Sequence, residues 1–166
     1  MNGTLEKLES ILKSELDVHV SFLVSALELN RVLREEDLVK IDRQRHVQDE
    51  TVCRIEKLEE QRREYCAAIA QSLGIAKRPV KMAMLIEKLP QQWRDRLGAL
   101  QRALREKISE LSKISVSNRL LLEEGLRIAD NTIAMVRKVG RKYGAYGHYG
   151  QTLSSPLTTS IINRTV

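Results

Sequence analysis

The feature that most constrains this chain is a seven-residue apolar repeat between Trp93 and Val139. Leu97, Leu104, Leu111, Asn118, Gly125, Thr132 and Val139 form one series, and Leu100, Ile114, Leu121, Ile128 and Met135 form a second lying between them. These are the a and d positions of one long helix. Ile108, Leu122, Ala129 and Val136 widen the stripe, so that it can pack against more than one neighbour. At about 1.5 Å rise per residue the repeat predicts a helix roughly 70 Å long, and whatever covers its face must be elongated as well.

The rest of the chain can supply that cover. A first helix is expected from about Thr4, read as its N-cap, to about Arg34, with Leu5, Leu12, Ala26 and Leu33 on one series, Leu8, Phe22 and Leu29 on the other, and His19 among them. A charged break at 34–37 precedes a second helix that takes Leu38, Ile41, Val52, Ile55, Leu58, Arg62, Tyr65, Ile69 and Leu73 along one series and stops at Gly74. Its middle, from Asp42 to Thr51, has Val47 as its one apolar residue and reads as the solvated end of a hairpin. Pro79 interrupts helix, residues 81–88 allow two turns with Met82, Leu85, Ile86 and Leu89 on one side, and Pro90 opens the long helix near Gln91. The fold expected is all-α: an elongated antiparallel bundle or coiled coil of three helices, two of them forming a hairpin, with a short capping helix before the long C-terminal one. Residues 1–139 make up this helical domain, and 140–166 a flexible tail in which Gly140, Gly144, Gly147 and Gly150 alternate with Tyr143, Tyr146 and Tyr149.

Composition narrows the function classes. Of 166 residues 30% are charged and only 4% aromatic, which suits helices laid side by side. The net charge of +6 is a property of the end of the chain, because no acidic residue follows Asp130 while Arg137, Lys138, Arg141, Lys142 and Arg164 are basic; the part before it is nearly balanced. A nucleic-acid module would carry its basic stripe on the folded body, so no nucleic acid is expected. No stretch is apolar enough to insert in a membrane and no signal-peptide pattern opens the chain, which points to the cytoplasm. Cys53 and Cys66 lie about 20 Å apart along one helix and read as reduced, structural thiols. The histidines and cysteines do not cluster and the tail glycines lack a phosphate-loop context, so no catalytic, metal or cofactor site is expected, and no enzyme.

What remains is binding. Asn118 at an a position can fix register by pairing with another polar group, and Gly125 permits close backbone approach or a local weakness in the helix. Leu121, Leu122, Ile128 and Met135 continue the stripe beyond what the first two helices can cover, and in the tail Tyr146, Gly150 and Leu153 belong to a segment suited to anchoring on a partner. The ordered set of "LEKLESILKSEL", "LEEQRREYCAAIAQSLGI", "LIEKLP", "SNRLLLEEGLRIADNTIAMV" and "YGHYGQ" resembles the FlgN family of flagellar type III export chaperones over most of the chain. That resemblance implies a non-catalytic cytoplasmic helical protein, one that binds the C-terminal helical region of hook-filament junction (hook-associated) proteins, prevents their premature assembly, and passes them to the cytoplasmic domain of the membrane export gate. It matches the family's Asn-Arg-x-x-Leu element to 118–122, and its tail tyrosine and glycine to Tyr146 and Gly150. A homo-oligomeric coiled-coil scaffold is the alternative, with a homodimer left open.

Overall fold

A computed structural model describes the backbone of residues 2–75 and 80–143, and side chains as far as Val139. Its elements are α1 (Asn2–Glu35), α2 (Leu38–Ser72), α3 (Met82–Glu87) and α4 (Gln91–Tyr143), with no strand among the described residues. The chain forms two compact units, one ending at Leu122 and the other beginning at Glu123.

Within the first unit α1 and α2 form the expected hairpin. Of the series expected along α2, Leu38 and Val52 are left exposed. The turn between them is held by Glu36, whose φ of 58° lies in the left-handed region, and by Asp37, whose carboxylate accepts the amide of Lys40 at 3.1 Å and caps α2. Lys40 also lies 3.0 Å from that carboxylate. The backbone bond and the side-chain bond together hold the Asp37 carboxyl below its usual range. Gly74, at φ 67°, ends α2 in the left-handed conformation that glycine adopts without steric cost. At the other end, α1 begins at Asn2, so Thr4 lies inside its first turn rather than at its cap.

The core gathers where α1 begins and α2 ends. Leu5, Leu8 and Leu12 meet Cys66, Ile69 and Ala70 of α2, Leu85, Ile86 and Leu89 in and just after α3, and Trp93, Leu97 and Leu104 of α4. Six residues of α3 could not persist as a free helix; its buried Leu85 and Ile86 seat it across the end of the bundle, where the sequence puts its apolar side. The Pro90 carbonyl accepts the amides of both Trp93 and Arg94 at 3.0 Å and starts α4. Burial pushes the Cys66 thiol up, partly offset by the nearby Arg62. Cys53, by contrast, is exposed and has no part in packing.

Polar pins fix the helices in register. Arg96 stacks on the Trp93 ring, its guanidinium carbon 4.5 Å from the centroid, and reaches the carboxylate of Glu9 on α1 with both Nε and Nη2. Burial pushes Glu9 up, but the bonds from Lys13 and Arg96 prevail and hold it below its usual range. Farther along, Asn30 of α1 bonds Asn118 of α4. The two contacts keep almost the same sequence offset, so α1 and α4 run parallel and the bundle is up-down-up. Against α2 the order reverses: Arg62 Nε donates to Glu15 at 2.9 Å and Ser25 donates to Gln44 at 3.1 Å. Desolvation raises Glu15 despite Arg62, and its second oxygen is buried without a hydrogen-bond partner. His19, also buried, has Nδ1 2.8 Å from the Glu15 carbonyl.

Candidate functional site

At the hairpin-turn end of the first unit, polar and apolar groups meet around Asn118. This side chain is only 5% exposed. Its Nδ2 donates to the Ala26 carbonyl at 2.8 Å, while its Oδ1 accepts from Asn30 Nδ2 at 2.7 Å; the same Asn30 amide also reaches Ser117 Oγ at 3.1 Å. A leucine here would have packed in many registers, whereas the asparagine satisfies its donor and acceptor in this one.

Beside it lies a groove of about 230 Å³ bounded by Phe22, Ala26 and Leu29 of α1, Gln48 of α2, and Ser115, Asn118, Arg119 and Leu122 of α4. Its walls are mostly apolar, and it opens to solvent. Gln48 contributes an amide nitrogen that is shielded from water and has no hydrogen-bond partner among the described residues. Such a donor costs free energy until an acceptor reaches it, so the groove suits an apolar side chain whose neighbouring backbone carbonyl points toward α2.

The second unit presents a different surface. Here α4 exposes Leu126, Ile128, Ile133, Met135, Val136 and Val139, with Ile128 at 51% and Met135 at 68%. Every described side chain from Leu122 to Val139 is exposed. Glu124 and Arg127 pair along the helix at 2.5 Å, the bond holding the carboxyl below and the guanidinium above its usual range. Nothing within 4 Å would meet a Cβ added to Gly125.

The residues singled out in the sequence therefore fall into three groups. Asn118 is buried and engaged with α1, Leu121 is half-buried, and Leu122, 42% exposed, borders the groove. Gly125, Ile128 and Met135 stand exposed on the second unit. Tyr146, Gly150 and Leu153, with most of the expected tail, lie outside the described residues. Phe22 and Leu29 read in sequence as core positions yet wall the groove. For Gln48 no signal existed, because a glutamine in a polar stretch is unremarked until its neighbours are known. Leu126 and Ile133 lie outside the two main series, and their shared seven-residue spacing beside the stripe was the available sign.

Among the described residues, no helix is long and apolar enough to cross a membrane, and no group of three His, Cys, Asp or Glu side chains could hold a metal ion. A family model described as FlgN protein matches residues 1–154. No curated protein and no solved structure matches the chain.

Proposed function

The chain belongs to the FlgN family, a family of flagellar export chaperones, and we propose that it captures the C-terminal helical region of hook-associated proteins in the cytoplasm and hands it to the cytoplasmic domain of the export gate. The general role, a chaperone of flagellar proteins, follows from membership. The finer reading is supported by one observation above all: α4 leaves a row of large apolar side chains in water that an amphipathic cargo helix can cover. Leu121, Leu122, Gly125, Ile128 and Met135 are the proposed contacts, with Asn118 holding the first of them in place through α1. Capture of a helix by an apolar face needs no chemistry and is reversible, as a protein that must release its cargo requires. Tyr146, Gly150 and Leu153 are proposed as contacts on the strength of the resemblance, Tyr146 and Gly150 toward the gate.

Replacing both Leu122 and Ile128 by Asp tests this. Both are exposed, so helical content by circular dichroism should be unchanged, while calorimetric affinity for a purified C-terminal segment of a hook-associated protein should fall by a factor of about 100 or more, the loss of two central apolar contacts. Unchanged affinity in a folded double variant would remove these residues from the cargo site.

A further inference from the structure

In the second unit the helix stands without packing to hold it, and we propose that residues 123–139 fold on capture: without cargo they exchange as a unit between helix and open chain, and cargo holds them closed. The proposal rests on the reading of this part of α4 as the cargo site. Every described side chain from Leu122 to Val139 is exposed, and the compact unit that contains the buried core ends at Leu122. In proteins most helical stability comes from the packing of an apolar face rather than from propensity. Among the described residues, that contribution stops at the unit boundary.

Propensity does not replace it. Extending a helix from an existing end is little better than neutral even for good helix formers. Asp130, Asn131, Thr132 and Ile133 are four weak formers in a row, and Gly125, Ile128, Val136 and Val139 are weak as well. Thr132 also turns its hydroxyl back on the Ile128 carbonyl at 2.9 Å, a bond that competes with the helix's own. The ion pair of Glu124 with Arg127 lies in water and adds little.

Two glycines of α4 show the same difference. A Cβ added to Gly98 would meet Arg102 Nη1 at 3.7 Å and Ile86 Cγ2 at 4.0 Å, so α3 lies close against the covered stretch there. At Gly125 it would meet nothing within 4 Å. No close approach among the described residues accounts for that glycine, whereas a weak point at the start of an opening segment does. A segment of this kind takes the cost of its own ordering out of the energy of cargo contact. The apolar face can then be large enough to select a helix and still release it.

Amide hydrogen exchange on the full chain at low concentration reads the opening directly. Without cargo, amides at 127–139 should be protected less than about tenfold, and those at 97–118 about a thousandfold more. Adding a purified C-terminal segment of a hook-associated protein should slow the first set by a factor of about 100. Asp130 and Asn131 lie about 140° and 120° round the helix from Gly125, on the side away from the apolar face. Asp130→Ala combined with Asn131→Ala therefore changes propensity without touching the cargo contacts. The pair should raise protection of the free segment by a factor of up to about 10 and tighten cargo binding by about threefold or more in calorimetry. Free amides at 127–139 as protected as those at 97–118, or a cargo affinity that the pair leaves unchanged or lowers, would each overturn the proposal. Failure of the cargo reading looks different: the chain with Leu122→Asp and Ile128→Asp would bind as tightly as the original, whatever the exchange rates of the free segment.

Discussion

The first turns of α4 and its last ones carry the same seven-residue apolar spacing and meet opposite fates. Leu97 and Leu104 are buried among α1, α2 and α3, whereas Ile128, Met135 and Val139, on the same spacing, are exposed. The difference is not in the repeat. It lies in what flanks it: the first stretch is accompanied by Arg96, which stacks on Trp93 and bonds Glu9 of α1, while the later one is accompanied by charges bonded along their own helix, as Glu124 is to Arg127. A heptad stripe announces that a face must be covered; whether the cover comes from the same chain depends on polar groups that reach across.

The widest gap should appear when one buried and one exposed leucine-sized side chain on this spacing are truncated in turn. Leu97→Ala leaves a cavity in the core and should cost about 3 kcal/mol in urea unfolding. Ile128→Ala should change stability by less than about 0.5 kcal/mol in the same measurement at low protein concentration. Equal costs would mean that the late stripe is also covered within the chain.

This contrast separates what was legible in the sequence from what was not. Periodicity gave the helices, the arrest at Gly74, the short α3 and the start of α4 after Pro90, because each rests on local chemistry: left-handed glycine, proline at an opening turn, apolar residues on one side. The uncovered end of α4 was legible by length, since α1 runs only to Glu35. Interactions that join distant segments were not. Arg62 falls on the same series as Leu58 and Tyr65 of its helix, but nothing in the sequence pairs it with Glu15, 47 positions away, which it bonds. Gln48 borders a groove because of where α1 and α4 pass, not because of its neighbours in sequence. Thr4 misled for the opposite reason: a good capping residue is only a preference, and the helix simply begins earlier.

An intermediate effect is expected at Asn118, where the covered stretch gives way to the uncovered one. Asn118→Ala removes the bonds to Asn30 and the Ala26 carbonyl and should cost about 2 kcal/mol, the scale for buried polar partners left unpaired. Combined with Asn30→Ala, the two losses should overlap by about 1 kcal/mol in a double-mutant cycle. Strict additivity would show that the pair does not act as one register pin, and that the parallel alignment of α1 with α4 rests on packing alone.

The smallest effects should come from the two buried glutamates of α1, and pH distinguishes them. Glu9 is held below its usual range by Lys13 and Arg96 against the effect of burial, so its contribution is present above the ordinary carboxylate value and is lost as pH falls through the lowered one. Glu15 is raised by desolvation, so the sign reverses: the folded state gains as pH falls through the raised value toward the ordinary one, and loses that gain as pH rises again. Mild acid should therefore favour the fold through Glu15 before stronger acid opposes it through Glu9. Glu9→Gln should cost about 1 kcal/mol at neutral pH, discounted because Arg96 is partly in water, and should flatten the strong-acid loss. Glu15→Gln should cost less, since Arg62 retains access to solvent and a desolvated charge is removed with the pair, and it should abolish the gain in mild acid. Thermal melts of the two variants across the acid range measure both slopes. If Glu15→Gln left the mild-acid gain in place, the gain would belong to another group, and the carboxylate between α1 and α2 would be as well compensated as the one between α1 and α4.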